Sequence, residues 1–167
     1  MATSVVRAVS SPILIVSLVA FLAAVPTRAQ DQDKTHFDQE TNPVRKAKAF
    51  DKFGQDLMSQ FGRQAADGNY AAALHTLADY RDEARTAFNG LQSTGVDAER
   101  HSDGFKQLQI SLRKGLWELQ RTIVLIPDEQ KATVRALADN LIEMQSKLEH
   151  LLFPRDPVSA PSDKPKQ

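Results

Sequence analysis

Apolar residues recur at helical spacing along residues 42–153, and this periodicity limits the possible folds more than any other feature of the chain. Steps of three and four residues place such side chains on one face of an α-helix. Gly68, Gly95 and Pro127 divide the pattern into four segments, and no alternating pattern typical of β-strands competes with it. The sequence therefore predicts an all-α domain built from four amphipathic helices.

Each predicted helix has a polar start and one apolar stripe. Thr41 or Asn42 can cap the first helix ahead of Pro43, Asn69 the second and Asp128 the fourth. The four stripes are, in chain order, Ala47, Phe50, Phe53, Leu57 and Phe61; Tyr70, Leu74, Leu77, Ala84, Phe88 and Leu91; Phe105, Leu108, Leu112, Leu116, Leu119 and Ile123; and Val134, Leu137, Leu141, Leu148 and Leu152.

The short connections at Gly68 and Pro127 favour antiparallel neighbours, so we expect an antiparallel four-helix bundle with up-down-up-down order. A long helical hairpin or a dimeric coiled coil is the architectural alternative, because the stripes are close to heptad spacing. Outside the bundle, residues 30–41 are expected to be a flexible leader with only Phe37 to bury, and residues 154–167 a disordered, proline-rich tail.

The N-terminal segment resembles a secretory signal peptide. Thirteen apolar residues from Ile13 to Val25 follow Arg7, and Thr27 and Ala29 place small residues at the two positions that a signal peptidase inspects. The run is shorter than the roughly 20 residues needed to cross a bilayer. We therefore expect residues 1–29 to be removed and the rest exported without a stable membrane span; an uncleaved anchor is the alternative.

Composition narrows the setting further. The chain has no cysteine, which excludes disulfides, thiol chemistry and c-type haem attachment, so the fold must rest on packing alone. Its 21 basic and 21 acidic residues balance, which does not suggest a nucleic-acid partner. A cysteine-free helical domain favours a bacterial envelope, as a periplasmic or secreted protein, and homo-oligomers are possible.

The sequence contains no recognisable motif for catalysis, cofactor binding or metal binding. The four histidines show neither HExxH nor Glu-x-x-His spacing, so no metal site is expected. There is no glycine-rich phosphate loop and no nucleophile elbow. The sequence therefore predicts a protein that is not an enzyme and needs no cofactor.

The third predicted helix has a second face that a simple bundle does not require. It forms a basic stripe with an apolar seam and contains the only tryptophan of the chain. Its members are Lys106, Ile110, Arg113, Lys114, Trp117 and Arg121, followed by Val124. This face could bind another protein or an anionic envelope component, since Trp and Arg often anchor interfaces. Alternatively, the helix packs on both sides and the arginines only lie over Trp117.

Two polar residues fall within the predicted apolar stripes. Arg81 interrupts the stripe of the second helix and Gln145 that of the fourth, so both are expected in the core. They could fix helix register through an internal polar contact, or Arg81 could reach out to solvent. Alternatively, they could form the polar floor of a small-ligand site.

Two short segments resemble known families. Residues 68–74, Gly-Asn-Tyr-Ala-Ala-Ala-Leu, look like the turn of a tetratricopeptide repeat but occur once. Ile126-Pro127-Asp128-Glu129-Gln130 is similar to the LTxxQ signature of periplasmic helical chaperones, with proline in place of threonine. We assign neither family. The sequence favours an exported, non-enzymatic interaction or structural protein; the second resemblance implies, as an alternative, a chaperone or stress sensor that binds unfolded chains.

Overall fold

Helices dominate the computed structural model, which describes the backbone of residues 28–154 and the side chains of residues 32–154. The α-helices are α1 (Arg28–Gln39), α2 (Pro43–Ala66), α3 (Tyr70–Ser93), α4 (Asp103–Thr122) and α5 (Asp128–Leu152), with a 3-10 turn at Ile123–Leu125. No strand occurs within residues 28–154, so the all-α prediction is confirmed for this part of the chain. The predicted signal peptide up to residue 27, and the tail from residue 155, lie outside the described residues.

Two asparagines and two glycines set the helix boundaries as predicted. The Asn42 side chain accepts a hydrogen bond from the Arg45 amide at 3.0 Å, and the Asn69 side chain accepts one from the Ala72 amide at 3.4 Å. Gly68 and Gly95 adopt φ values of +75° and +64° just after α2 and α3, a conformation that glycine reaches without a steric penalty. At α5 the prediction is off by one residue, because Pro127 is the cap and Asp128 is already helical.

The expected flexible leader at residues 30–41 is wrong for most of its length, because residues 28–39 form α1. Phe37 is fully buried, and its ring centroid lies 5.3 Å from that of Phe53 and 6.0 Å from that of Phe50. Lys52 also pairs with Asp33 at 2.9 Å. Docking a single aromatic side chain on two others of α2 therefore orders a segment whose own composition is polar.

The arrangement of the helices differs from the expected up-down-up-down bundle. That bundle has four helices, corresponding to α2–α5, and places α2 beside α5. The two predicted hairpins are present, since α2 packs on α3 and α4 on α5, but α2 also packs along α4, while α5 packs on α3 and α4. A Cβ added to Gly104 would lie 3.2 Å from the Cα of Val44, and one on Gly62 would lie 3.8 Å from the Thr122 hydroxyl. The first turn of α4 therefore lies beside the first turn of α2, and the last turn of α4 lies beside the end of α2. The two helices run parallel.

All five helices contribute to one core. Its fully buried members are Phe37, Ala47, Phe50, Phe61, Ala73, Leu77, Ala84, Leu91, Leu108, Leu112, Val134, Leu141 and Leu148. Most of the predicted stripe residues are among the buried side chains, which confirms the periodicity on which the fold class was based. None of the helices within residues 28–154 combines the length and the hydrophobicity that a membrane span requires.

Candidate functional site

The outer face of α4 is exposed to solvent. We use this name for Lys106, Ile110, Arg113, Lys114, Trp117 and Arg121, the residues that the sequence singled out. Trp117 has 58% of its surface exposed, Ile110 is half-buried and the four basic residues are exposed. The opposite side of α4 enters the core through Phe105, Leu108, Leu112 and Leu119. Helix α4 thus presents a basic face with a tryptophan in its middle to the surroundings.

Trp117 does not stand alone on this face. The Arg121 guanidinium lies over the indole ring, 4.8 Å from its centroid, and also pairs with Glu118 at 3.4 Å. An arginine lying over Trp117 was one part of the alternative prediction, in which this face packs within the protein and binds no partner. It fixes the arginine against the ring but leaves most of the indole uncovered.

The charges of this face are only partly neutralised. Lys114 pairs with Asp51 of α2 at 3.1 Å, and Arg121 is paired with Glu118. Lys106 and Arg113 have no ion pair among the residues whose side chains the structure describes. The face therefore carries excess positive charge where α4 meets the solvent.

A cavity of about 530 Å³ opens between α2 and α4 beside Trp117, and no sequence pattern predicted it. Its apolar lining includes Met58, Trp117 and the backbone at Gly54 and Gly115. The polar side chains at its border are Asp51, Gln55, Ser59, Ser111, Arg113, Lys114 and Glu118. Three of the predicted surface residues thus border a concave site rather than a flat one.

Tyr80 of α3 forms the floor of this cavity. Its ring is 1% exposed, and its hydroxyl donates a hydrogen bond to the Ser111 carbonyl at 3.1 Å. The ring fits between α2 and α4 because two glycines face it: a Cβ on Gly54 would lie 3.0 Å from the ring, and one on Gly115 would overlap the hydroxyl. Burial, together with the nearby charge of Asp51, raises the pKa of Tyr80 well above its ordinary value.

Asp51 links the two helices at the border of the cavity. Its carboxylate accepts hydrogen bonds from the Ser111 hydroxyl at 2.8 Å and from Lys114 at 3.1 Å. Burial alone would raise its pKa, but these two contacts outweigh burial, and the pKa of Asp51 is lowered. The carboxylate is therefore a charged structural link, and it also neutralises Lys114.

Arg81 and Gln145 do not lie in the core, where the predicted apolar stripes placed them. Arg81 is half-buried and makes a two-pronged contact with Asp82 at 2.8 and 2.9 Å. Gln145 is also half-buried and donates to Glu149 of its own helix at 3.1 Å. No hydrogen bond joins them among the described residues, and neither borders the cavity beside Trp117.

Tyr80 and Met144, the residues just before these two, occupy the inward positions instead. The sequence contains a pattern that predicts the inward position of Tyr80. A second helical stripe in the second predicted helix contains Tyr80 and excludes Arg81, and its members are Ala73, Leu77, Tyr80, Ala84, Ala87 and Leu91. Because alanines make up half of this stripe, it is less conspicuous than the one chosen from large apolar residues.

Among residues 32–154, no three His, Cys, Asp or Glu side chains gather as a metal site would require. Comparison of the chain with models of protein families, with curated proteins and with solved structures finds no match. The geometry around Trp117 is thus the starting point for a functional proposal.

Proposed function

We propose that this protein is an exported, non-enzymatic binding protein that holds a macromolecular partner against the outer face of α4. The observation that carries the proposal is the exposure of Trp117, the only tryptophan of the chain. This large aromatic side chain is 58% exposed. Aromatic side chains cover roughly 150–250 Å² when buried, so on the order of 100 Å² of the indole remains available. Covering that area would contribute about 2 kcal/mol to binding.

The charge of the face supports an anionic partner, either an acidic protein segment or an anionic component of the cell envelope. Lys106 and Arg113 precede Trp117 on the same helix and have no ion pair among residues 32–154, and Arg121 is already ordered over the ring. An arginine held in place loses less conformational freedom on binding than a free one. Opposite charges would also speed encounter, with a strong dependence on salt.

The test compares crosslinked capture from the native cell envelope by the parent protein, Trp117→Ala and Ile142→Ala. Ile142 is a matched control, because it is 53% exposed but lies on α5. We expect Trp117→Ala to reduce capture of the partner at least about tenfold, the equivalent of 1.4 kcal/mol, while Ile142→Ala captures it normally. Helicity should be unchanged, and the melting temperature should shift by less than about 3 °C.

Equal capture by Trp117→Ala would contradict the proposal. A large loss of stability in that variant would also contradict it, because Trp117 would then be part of the core rather than of a binding surface.

Export is the second component of the proposal and rests on the apolar run Ile13–Val25. Mass spectrometry of the protein isolated from its native envelope should find a chain that begins at Gln30. A mature species that still begins at Met1 would contradict cleavage.

A chaperone-like role is a second candidate, favoured by the apolar surface that continues beyond Trp117. Val124 and Leu125 in the 3-10 turn are 74% and 47% exposed. Unfolded polypeptides bind to such exposed apolar surface. The protein without residues 1–29 should then suppress aggregation of denatured citrate synthase at an equimolar ratio, and Val124→Ser with Leu125→Ser should abolish the effect. No suppression by the parent protein would rule against this role.

A further inference from the structure

We infer that the cavity between α2 and α4, which shares Trp117 and Arg113 with the outer face of α4, is also a binding site for a small aromatic anion, such as an arylcarboxylate. This inference does not depend on the proposed function. The volume of about 530 Å³ falls within the range of small-ligand sites, roughly 300–1,000 Å³, and exceeds what one protein side chain fills.

The lining of the cavity indicates an aromatic body for the ligand. Trp117 forms one wall, and Tyr80 and Met58 lie below. Aromatic rings and a thioether are favourable neighbours for a further aromatic ring. Gly54 and Gly115 border the cavity with backbone alone, and the Tyr80 ring occupies the space that faces them, so an aromatic surface forms the floor of the cavity.

The charges at the border indicate a single negative charge on the ligand. Asp51 is neutralised by Lys114 and Glu118 by Arg121, at 3.1 and 3.4 Å. Arg113 is the remaining charged side chain of the lining, and it has no ion pair among the described residues. A carboxylate at the border would therefore meet an unpaired guanidinium, which binds carboxylates through two parallel hydrogen bonds.

The unique tryptophan makes the site directly observable. Because the chain contains one Trp, its ¹⁵N–¹H spectrum has one indole N–H signal, which reports on the wall of the cavity. We would titrate the full chain with 2-naphthoate and, as a neutral analogue of the same size, 2-naphthamide. We expect a saturable shift of the indole signal with 2-naphthoate and at least about fivefold weaker binding of the amide.

Three variants locate the binding. Arg113→Glu should weaken 2-naphthoate binding about five- to tenfold, because it replaces attraction by repulsion at an exposed position. Ser59→Phe should abolish saturable binding by filling the cavity from an exposed position on α2. Lys106→Glu is the control: it lies on the same helix outside the cavity, and we expect less than a twofold change in its binding.

Several outcomes would overturn the inference. These are a shift that stays linear up to the solubility limit, equal binding of acid and amide, or unchanged binding by Ser59→Phe. The macromolecular proposal fails differently, because Lys106→Glu and Trp117→Ala would then leave partner capture unchanged. The two ideas can therefore fail independently.

Discussion

At the scale of single residues, Tyr80 joins three helices through one ring. It comes from α3, packs 5.3 Å from the Phe50 ring of α2, and donates its hydroxyl hydrogen bond to α4 at Ser111. Glycine inside a helix costs roughly 1 kcal/mol relative to alanine. The presence of Gly54 and Gly115 opposite the ring is explained by the space that the tyrosine needs.

We predict that Gly115→Ala lowers the free energy of unfolding by about 1–3 kcal/mol, because the added methyl group overlaps the Tyr80 hydroxyl. Combining it with Tyr80→Phe should recover part of that loss. Gly62→Ala is the matched control: the nearest atom would lie at 3.8 Å, so helix propensity should make it stabilising by about 0.5–1 kcal/mol. Urea denaturation gives the free energy of unfolding of the parent and of the three variants. If Gly115→Ala left this free energy unchanged, Tyr80 would not be confined against Gly115.

Asp51 makes stability depend on pH in a predictable direction. Because the folded-state pKa of Asp51 lies below its ordinary value of 3.8, its contribution is fully present above that pH and is lost as the pH falls through the folded-state pKa. We predict that Asp51→Asn lowers the free energy of unfolding at pH 7 by about 1 kcal/mol. The difference between variant and parent should shrink below pH 4. Urea denaturation across pH 2–7 checks this, and a difference independent of pH would contradict it.

At the scale of helices, periodicity was sufficient to predict four of the five α-helices and the caps at Asn42 and Asn69. It could not decide which of two adjacent residues faces inward. Tyr80 rather than Arg81 enters the core, and the small alanines that make up half of the inward stripe gave the apolar pattern too little contrast to show this. The cavity could not be predicted either. It lies between α2 and α4, and helical periodicity does not show which helices become neighbours. Predicting the exposed face around Trp117 required only the periodicity of one helix, and the sequence therefore identified its residues.

Helix α1 shows the limit of composition as a guide. Its twelve residues have one large apolar side chain, Phe37, and the surface that buries it belongs to α2. Polar contacts across the two helices, such as Lys52 with Asp33, complete the docking. Since isolated helices of this length are marginal, the order of α1 depends on the contact with α2.

We therefore predict that Phe37→Ala undocks α1 and costs about 3 kcal/mol in the free energy of that local opening. Native-state hydrogen exchange should show lost protection of the α1 amides, whereas those of α3 and α5 remain protected. His36→Ala, an exposed change in the same helix, should leave the exchange unchanged. If the parent protein already exchanges freely at α1, this part of the chain is the flexible leader that its composition suggests.

At the scale of the whole molecule, the placement of α2 beside α4 creates the cavity that we infer to be a ligand site. The cavity lies between these helices, Asp51 reaches across them to Ser111 and Lys114, and Tyr80 fills the space below. In the simple order that the sequence suggested, α2 would lie beside α5 instead. Short hairpin connections are compatible with both orders, because the link between α3 and α4 can lead to either position.

A disulfide can distinguish the two orders, because the chain has no cysteine of its own. We predict that Gly62→Cys with Thr122→Cys forms a disulfide on mild oxidation, since a Cβ on Gly62 would lie 3.8 Å from the Thr122 hydroxyl oxygen. The bond should raise the free energy of unfolding by about 2–4 kcal/mol. Thiol titration and electrophoretic mobility without reductant report its formation. The pair Gly62→Cys with His101→Cys should stay reduced, because residue 101 precedes α4 at the end where α2 begins. Free thiols in the first pair, under conditions where the monomer is folded, would mean that α2 and α4 are not parallel neighbours, and the cavity between them would then not exist.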